Sequence, residues 1–329
     1  MITTVTMNPS IDIAYTLDEL RIDQVNRVKT VNKTAGGKGL NVARVLHLLA
    51  DDVLATGLVG GQHGAYIKEQ LDQSGITHQF LPIKGETRDS IAILHGVNQT
   101  ELLESGPVVT EEEQHKFTEH FARLMETTDI FTISGSLPQG FSKSYYAELL
   151  ALTNKKGTRV LLDTSGQTLL EVLEGKEKPF LIKPNLEELG ELVHQTISSA
   201  TSLDEIQSLL DHPLFEGINW IVLSLGAKGA IAKVGRHFYQ VTIPKIAVVN
   251  PVGSGDSTIA GLAHALSKSY TIEETLAFAM ACGMANAQQE KTGWIDPVKV
   301  DYFRGKSTSE RFVDYKIRKR FLKTRRKFA

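Results

Sequence analysis

Short runs of apolar and β-branched residues, at 53–59, 130–134, 160–163, 180–183 and 220–225, read as strands. Between them apolar positions recur at helical spacing, at 42–49, 144–152 and 203–210. Strands alternating with helices predict an α/β fold with a mainly parallel sheet covered by helices on both faces. Ligands gather at the carboxyl ends of such strands, the edge that would carry Gly135, Lys183, Gly226 and Gly253. Two regions break the alternation. Extended segments with polar interruptions, at about 11–34 and 88–109, predict a small β-sheet lid that would exclude water from a site below it. No internal repeat or interdomain linker interrupts 1–303, which reads as a single domain.

Composition changes this picture at one end of the chain. The 329 residues carry a net charge of −2, and acidic and basic residues are interspersed through the main body, so neither a nucleic acid nor a membrane surface is the expected partner there. From Arg304 to Ala329, however, eleven Lys and Arg stand against Glu310 and Asp314. This basic C-terminal tail, 304–329, is expected to be disordered or a frame-derived extension, with a polyanion-binding arm as the alternative. The single cysteine, Cys282, allows no intrachain disulfide and fits a reducing cytoplasm. The N-terminus has no signal-peptide pattern, and no apolar run reaches the length of a membrane span, so a cytoplasmic protein is expected.

Candidate chemistry concentrates in glycine-rich turns. Gly253, Ser254 and Gly255 stand immediately before a helix marked by Ile259, Leu262, Ala263 and Leu266. Such a turn aims backbone N–H groups and the positive helix end at an anion, and Asp256 beside it is suited to act as a general base. The combination points to phosphoryl transfer; ordinary capping is the competing reading of the same tetrapeptide. Residues 35–41 place three glycines around Lys38 before a second amphipathic helix, and this is neither a Walker A loop nor a dinucleotide turn. Lys38 and Asn41 would there meet a polyhydroxylated, anionic substrate. Arg88 has the geometry to bind a phosphate bidentately, with Arg27 and Lys38 as further cations. Asn185 and Glu188 have capping-box spacing; alternatively they position a hydrated Mg²⁺. Residues 224–229 form either a plain hairpin or a turn passing close to a nucleotide. No HExxH or GxSxG pattern occurs, which disfavours zinc peptidase and serine hydrolase chemistry.

Taken together, the AGGKGLNVARVL, SGSLPQG, IKPN, SLGAKG and NPVGSGDS segments resemble, in order, the PfkB or ribokinase-like carbohydrate kinases, over roughly residues 1–300. The resemblance implies a Rossmann-like α/β core of the ribokinase-like kind with a β-sheet lid, ATP and Mg²⁺ as cofactors, and a ketohexose phosphate as acceptor. By the same carry-over Asp256 is the base and Gly253, Ser254 and Gly255 form the anion hole. Asp12, Gly37, Lys38 and Asn41 would hold the sugar, and Arg88 its existing phosphate. Lys183, Asn185, Ser224, Gly226 and Gly229 would serve the nucleotide, with Glu188 organising the metal through water. Within the family the wording TMNPSIDIAY, NRV and GETRDSIAILH is most similar to the branch acting on tagatose 6-phosphate in lactose and galactose catabolism. The phosphofructokinases are the sister reading, and a catalytically silent sugar-phosphate sensor is the reading from another class. Family members commonly dimerise through their lids.

Overall fold

The computed structural model describes residues 1–312 except Val97 and Ser199. In chain order the first half runs β1 (Ile2–Thr6), β2 (Ser10–Leu17), β3 (Thr30–Gly36), α1 (Lys38–Leu48), β4 (Val53–Gly60), α2 (Gly61–Gln73), β5 (His78–Ile83), β6 (Arg88–His95), β7 (Asn98–Leu103), α3 (Glu111–Leu124) and β8 (Ile130–Ser134). It continues with α4 (Tyr145–Lys156), β9 (Arg159–Asp163), α5 (Gly166–Glu174), β10 (Leu181–Ile182), α6 (Leu186–Leu192), α7 (Leu203–Leu210) and β11 (Trp220–Ser224). The last elements are β12 (Ala230–Val234), β13 (His237–Thr242), α8 (Ser254–Ser267), α9 (Ile272–Ala287), α10 (Pro297–Arg304) and β14 (Thr308–Phe312).

Ten strands form one sheet, in the order β14-β13-β12-β11-β10-β9-β8-β1-β4-β5. From β11 through β5 every pairing is parallel; β12, β13 and β14 add an antiparallel end. The central strands β1, β4 and β8 are buried on both faces, which is why β4 and β8 read as largely apolar runs rather than as an alternation. Alternate residues feed two cores. Ile2, Ile130 and Leu161 face the layer containing α1, α8 and α9, whereas Val5, Phe131, Ile133 and Leu162 face α3, α4 and α5.

The expected lid is a separate four-stranded sheet, β3-β2-β6-β7, mixed because β2 and β6 run parallel. Its two halves leave the core at the carboxyl ends of β1 and β5, so the lid stands over the sheet edge expected to bind ligands. The start of the expected tail is corrected. Residues 308–312 are the outermost strand of the large sheet, paired along β13 with Phe238 opposite Phe312, and ordinary β pairing overrides the local excess of charge. Residues 313–329, which hold most of the basic cluster, lie outside the described residues. Among the described residues no helix is long and apolar enough to cross a membrane.

Candidate active site

Two helix N-termini meet at the carboxyl edge of the sheet. Helix α8 begins after Gly253, whose φ of 80° is a left-handed conformation that favours glycine. A Cβ there would lie 2.7 Å from Thr292 Cγ2 and 2.9 Å from the Gly293 nitrogen, so both the backbone angle and the space require glycine. Asp256 in the first turn is 7% exposed and accepts a 2.8 Å hydrogen bond from Asn41 Nδ2 of α1. Burial and the neighbouring Asp163 carboxylate push the Asp256 carboxyl up to about 6, while Asn41, Lys38 and Lys183 favour its ionised form. The helix dipole suggests a strongly stabilised carboxylate; desolvation instead outweighs the favourable partners, yet Asp256 remains mostly ionised at neutral pH.

Asp163 ends β9 between two lysines, 3.6 Å from Lys183 Nζ and 4.0 Å from Lys38 Nζ. Asp163, ahead of Asp256 and Glu188, raises the Lys38 ammonium against the opposing effect of burial. Lys183 lies beneath the glycine turn, its Nζ 3.2 Å from where a Gly255 Cβ would project. Buried amine and turn therefore approach one another where a phosphoryl group would be received.

On the lid side, Asp12 of β2 accepts a 2.7 Å bond from Ser10 Oγ and lies against the backbone of Gly36 and Gly37. Burial raises its carboxyl, opposed by the Ser10 hydroxyl and by Arg88 and Arg44. Arg88, at the root of β6, donates to the carbonyls of Glu104 at 2.9 Å and Asn8 at 3.4 Å. It borders an open cavity of about 650 Å³ lined also by Glu104, Gly106, Pro107 and Gln139. Asn8 in turn donates to Ser136 Oγ at 3.3 Å, which brings the loop after β8 beside this cavity.

Asn185 and Glu188 form the full capping box of α6, each side chain bonded to the other's backbone N–H at 2.9 Å. The capping reading is thus realised, and Glu188 still lies within electrostatic reach of Lys38. Ser224 donates through its N–H to the Pro184 carbonyl at 3.0 Å, joining the strand ends that precede Asn185 and Gly226. Residues 224–229 do turn a hairpin, from β11 to β12, with the Leu225 N–H bonded to the Gly229 carbonyl. Arg27 is exposed in the connection between β2 and β3.

Sequence reasoning placed Lys38, Asn41, Lys183 and Asp256 separately, and the fold gathers them. It missed Asp163, Arg44 and Asn286. Asp163 carried a signal, being a carboxylate at the carboxyl end of a readable strand. Arg44 looked like a polar position on an amphipathic helix, and Asn286 like a polar interruption in an apolar one; only tertiary contacts reveal them. Asn286 donates to the Val252 carbonyl at 2.8 Å and accepts from the Gly293 N–H at 2.8 Å, fastening the glycine turn to residues 292–294.

Comparison with known proteins agrees with this fold. The family model described as pfkB family carbohydrate kinase matches residues 5–297. A Staphylococcus aureus protein provisionally assigned as a phosphofructokinase is 30% identical, with a TM-score of 0.81 over 95% of this chain and 100% of its own. Phosphofructokinase-2 from Escherichia coli, solved with potassium, is 26% identical, with a TM-score of 0.85 over 92% of this chain and 98% of its own. The same enzyme is known with fructose 6-phosphate and in a tetrameric inhibited form. A Thermotoga maritima protein provisionally assigned as a 1-phosphofructokinase is 26% identical, with a TM-score of 0.83 over 95% of this chain and 100% of its own.

Proposed function

Because the chain belongs to the pfkB family of carbohydrate kinases, we propose that it phosphorylates a primary hydroxyl of a ketohexose monophosphate, with Asp256 as the general base. Family membership makes it an ATP-dependent sugar kinase; the acceptor and the residue roles are our reading. One observation carries that reading: a buried carboxylate at the N-terminus of α8 is held by Asn41 beside a glycine turn and two lysines.

Asp256 takes the proton of the attacking hydroxyl. Asn41 holds that carboxylate, and the amides of Gly253, Ser254 and Gly255 face the charge that develops on the transferred group. Arg88, anchored by backbone carbonyls at the lid root, receives the phosphate the sugar already carries, and Asp12 binds its hydroxyls. Lys183 and the 224–229 hairpin hold the nucleotide. Asp163 stands between Lys38 and Lys183 and Asp256 is bonded to Asn41, so the carboxylates here are already partnered, which fits a Mg²⁺ that would keep its waters and be borne largely by phosphates. Glu188 would orient it through water, and the metal supplies charge neutralisation at the phosphates.

The likeness in residues 6–15, 26–28 and 85–95 supports tagatose 6-phosphate as the acceptor, in lactose and galactose catabolism. A second reading, a fructose phosphate, is favoured by the phosphofructokinases among the solved relatives. The test is kcat/KM for MgATP-dependent ADP release with tagatose 6-phosphate, fructose 1-phosphate, fructose 6-phosphate and the free sugars. Tagatose 6-phosphate is expected to lead; a fructose phosphate in that place transfers the assignment, and no turnover with any sugar supports the sensor. Asp256→Asn is expected to abolish most turnover, and Arg88→Ala to raise the KM of the sugar phosphate about 10²-fold while barely moving that of ATP.

Ile22, Val25, Val31, Leu102 and Leu103 leave the lid with exposed apolar side chains. This supports a second copy of the chain as partner, meeting it lid to lid, with no membrane or nucleic acid required.

A further inference from the structure

Arg44 is half-buried on α1, one turn beyond Asn41, and was not among the residues expected to act. Its guanidinium donates through Nη1 to Asn41 Oδ1 at 3.0 Å and to the Thr292 carbonyl at 3.2 Å, and through Nη2 to the Ala35 carbonyl at 2.7 Å. Asn41 is therefore bonded at both ends of its amide: the oxygen by Arg44 and the nitrogen to Asp256 Oδ2. A carboxamide presents a donor and an acceptor of nearly the same shape, and rotation by half a turn exchanges them. An arginine has no acceptor, so the amide oxygen is the only end that can face it. The Nδ2 donor is thereby committed to the carboxylate.

The surroundings leave little freedom. A Cβ added at Gly293 would lie 2.8 Å from both Asn41 Cβ and Asn41 Oδ1, and 2.9 Å from Arg44 Nη1. The Gly293 N–H is itself held by Asn286, which also grips the turn before α8. Ala35 belongs to β3, a lid strand. One guanidinium thus touches the lid, the helix carrying Asn41 and the loop that packs on the glycine turn.

We propose that Arg44 is a positioning residue for the general base, holding the Asn41 amide in the one orientation that donates to Asp256 and tying that orientation to the lid. The charged groups facing Asp256 are Lys38 and Arg44 of α1, Asp163 at the end of β9, and Lys183 after β10; Arg44 also faces Asp12 of β2. Without Arg44 the amide is free to turn its oxygen toward the carboxylate, a cation is lost, and both changes favour protonated Asp256.

The inference rests on Asp256 being the base, so the experiment separates the two. The pH profile of kcat/KM is measured for the wild type, Arg44→Met, Arg44→Lys, Asn41→Ala, the Arg44→Met/Asn41→Ala double variant and Asp256→Asn. Arg44→Met should lower kcat about 10²-fold and move the acid limb up by roughly one pH unit, with the KM of ATP little changed. Arg44→Lys, which keeps the charge but not the fork, should fall between. In the Asn41→Ala background the same arginine change should cost far less, since its target is gone. Equal costs in both backgrounds, or a folded Arg44→Met with the wild-type acid limb, would overturn the proposal. Should Arg44→Met not fold, Arg44→Lys decides by the same comparison against Asn41→Ala. Turnover retained by Asp256→Asn would instead remove the base assignment itself.

Discussion

Asp256 shows how a catalytic requirement opposes stability at a single residue. Burial pushes its carboxyl up to about 6 in the folded protein, against an ordinary value of 3.8. Between those values the folded protein keeps a proton that the unfolded chain has released. The contribution of this group to stability is therefore most favourable at the acid end and is lost as pH rises through about 6, leaving a cost on the order of 3 kcal/mol at neutrality. Asp256→Asn, whose amide oxygen can still accept from Asn41, is expected to be more stable than the wild type at pH 7. That advantage should shrink as pH falls from 6 toward 4. Denaturant unfolding of both proteins at the two ends of this range checks it; an unchanged difference would mean that burial does not govern the carboxyl. Asp163, the other anion here, contributes by repelling Asp256 while holding Lys38 and Lys183 in place. The position of Asp163 at a strand end was legible, but its pairing with both lysines was not, because they stand more than a hundred residues before it and twenty after it.

At the scale of elements, the glycine turns and helix starts were readable because they follow local rules. The capping box of α6 and the start of α8 need only nearby residues. Apolar runs disclosed β4, β8 and β11, buried on both faces. The run at 180–183 contracts to the two residues of β10, because the chain must leave the sheet for Lys183 to reach Asp163 and for Pro184 to turn toward the cap. Strands β12, β13 and β14 were not read. At the antiparallel end of the sheet they mix Lys233, Gln240 and Glu310 with apolar residues, and pairing rather than apolar content defines them. The dual assignment of Glu188 is separable on this element. Glu188→Gln preserves a side chain able to complete the capping box, so thermal stability should change by less than about 1 kcal/mol. If Glu188 orients the hydrated metal, the Mg²⁺ concentration needed for half-maximal turnover should rise several-fold; an unchanged requirement would leave it a cap alone.

For the molecule as a whole, the sheet provides a floor, the lid a roof, and the two helix N-termini the wall between them. The lid's exposed apolar residues lead to a prediction about assembly: sedimentation velocity should find a dimer that a charge placed at Leu102, as in Leu102→Asp, weakens. A monomer at all concentrations would remove the lid-to-lid partner. The far end of the sheet yields another. A chain stopped after Phe312 keeps all ten strands and should retain wild-type melting and turnover, whereas one stopped before Ser307 loses β14 and should melt several degrees lower. Polyanion binding compared between the full chain and the one ending at Phe312 tests the basic segment without disturbing the sheet.

Strand β14 also gives the protein a distinctive moment in its biosynthesis. Its partner β13 is complete seventy residues before it, after which the ribosome must still make α8, α9 and α10. Throughout that interval β13 is an open edge, with Phe238 lacking the ring of Phe312 that later covers it. A nascent chain stalled after α8 in this window has its base, its lysines and its lid already in sequence, yet offers a bare strand to its neighbours on the same message. Once β14 is in place the edge of the sheet carries Glu310 and Arg311 instead, charges of the kind that discourage pairing with a neighbouring chain.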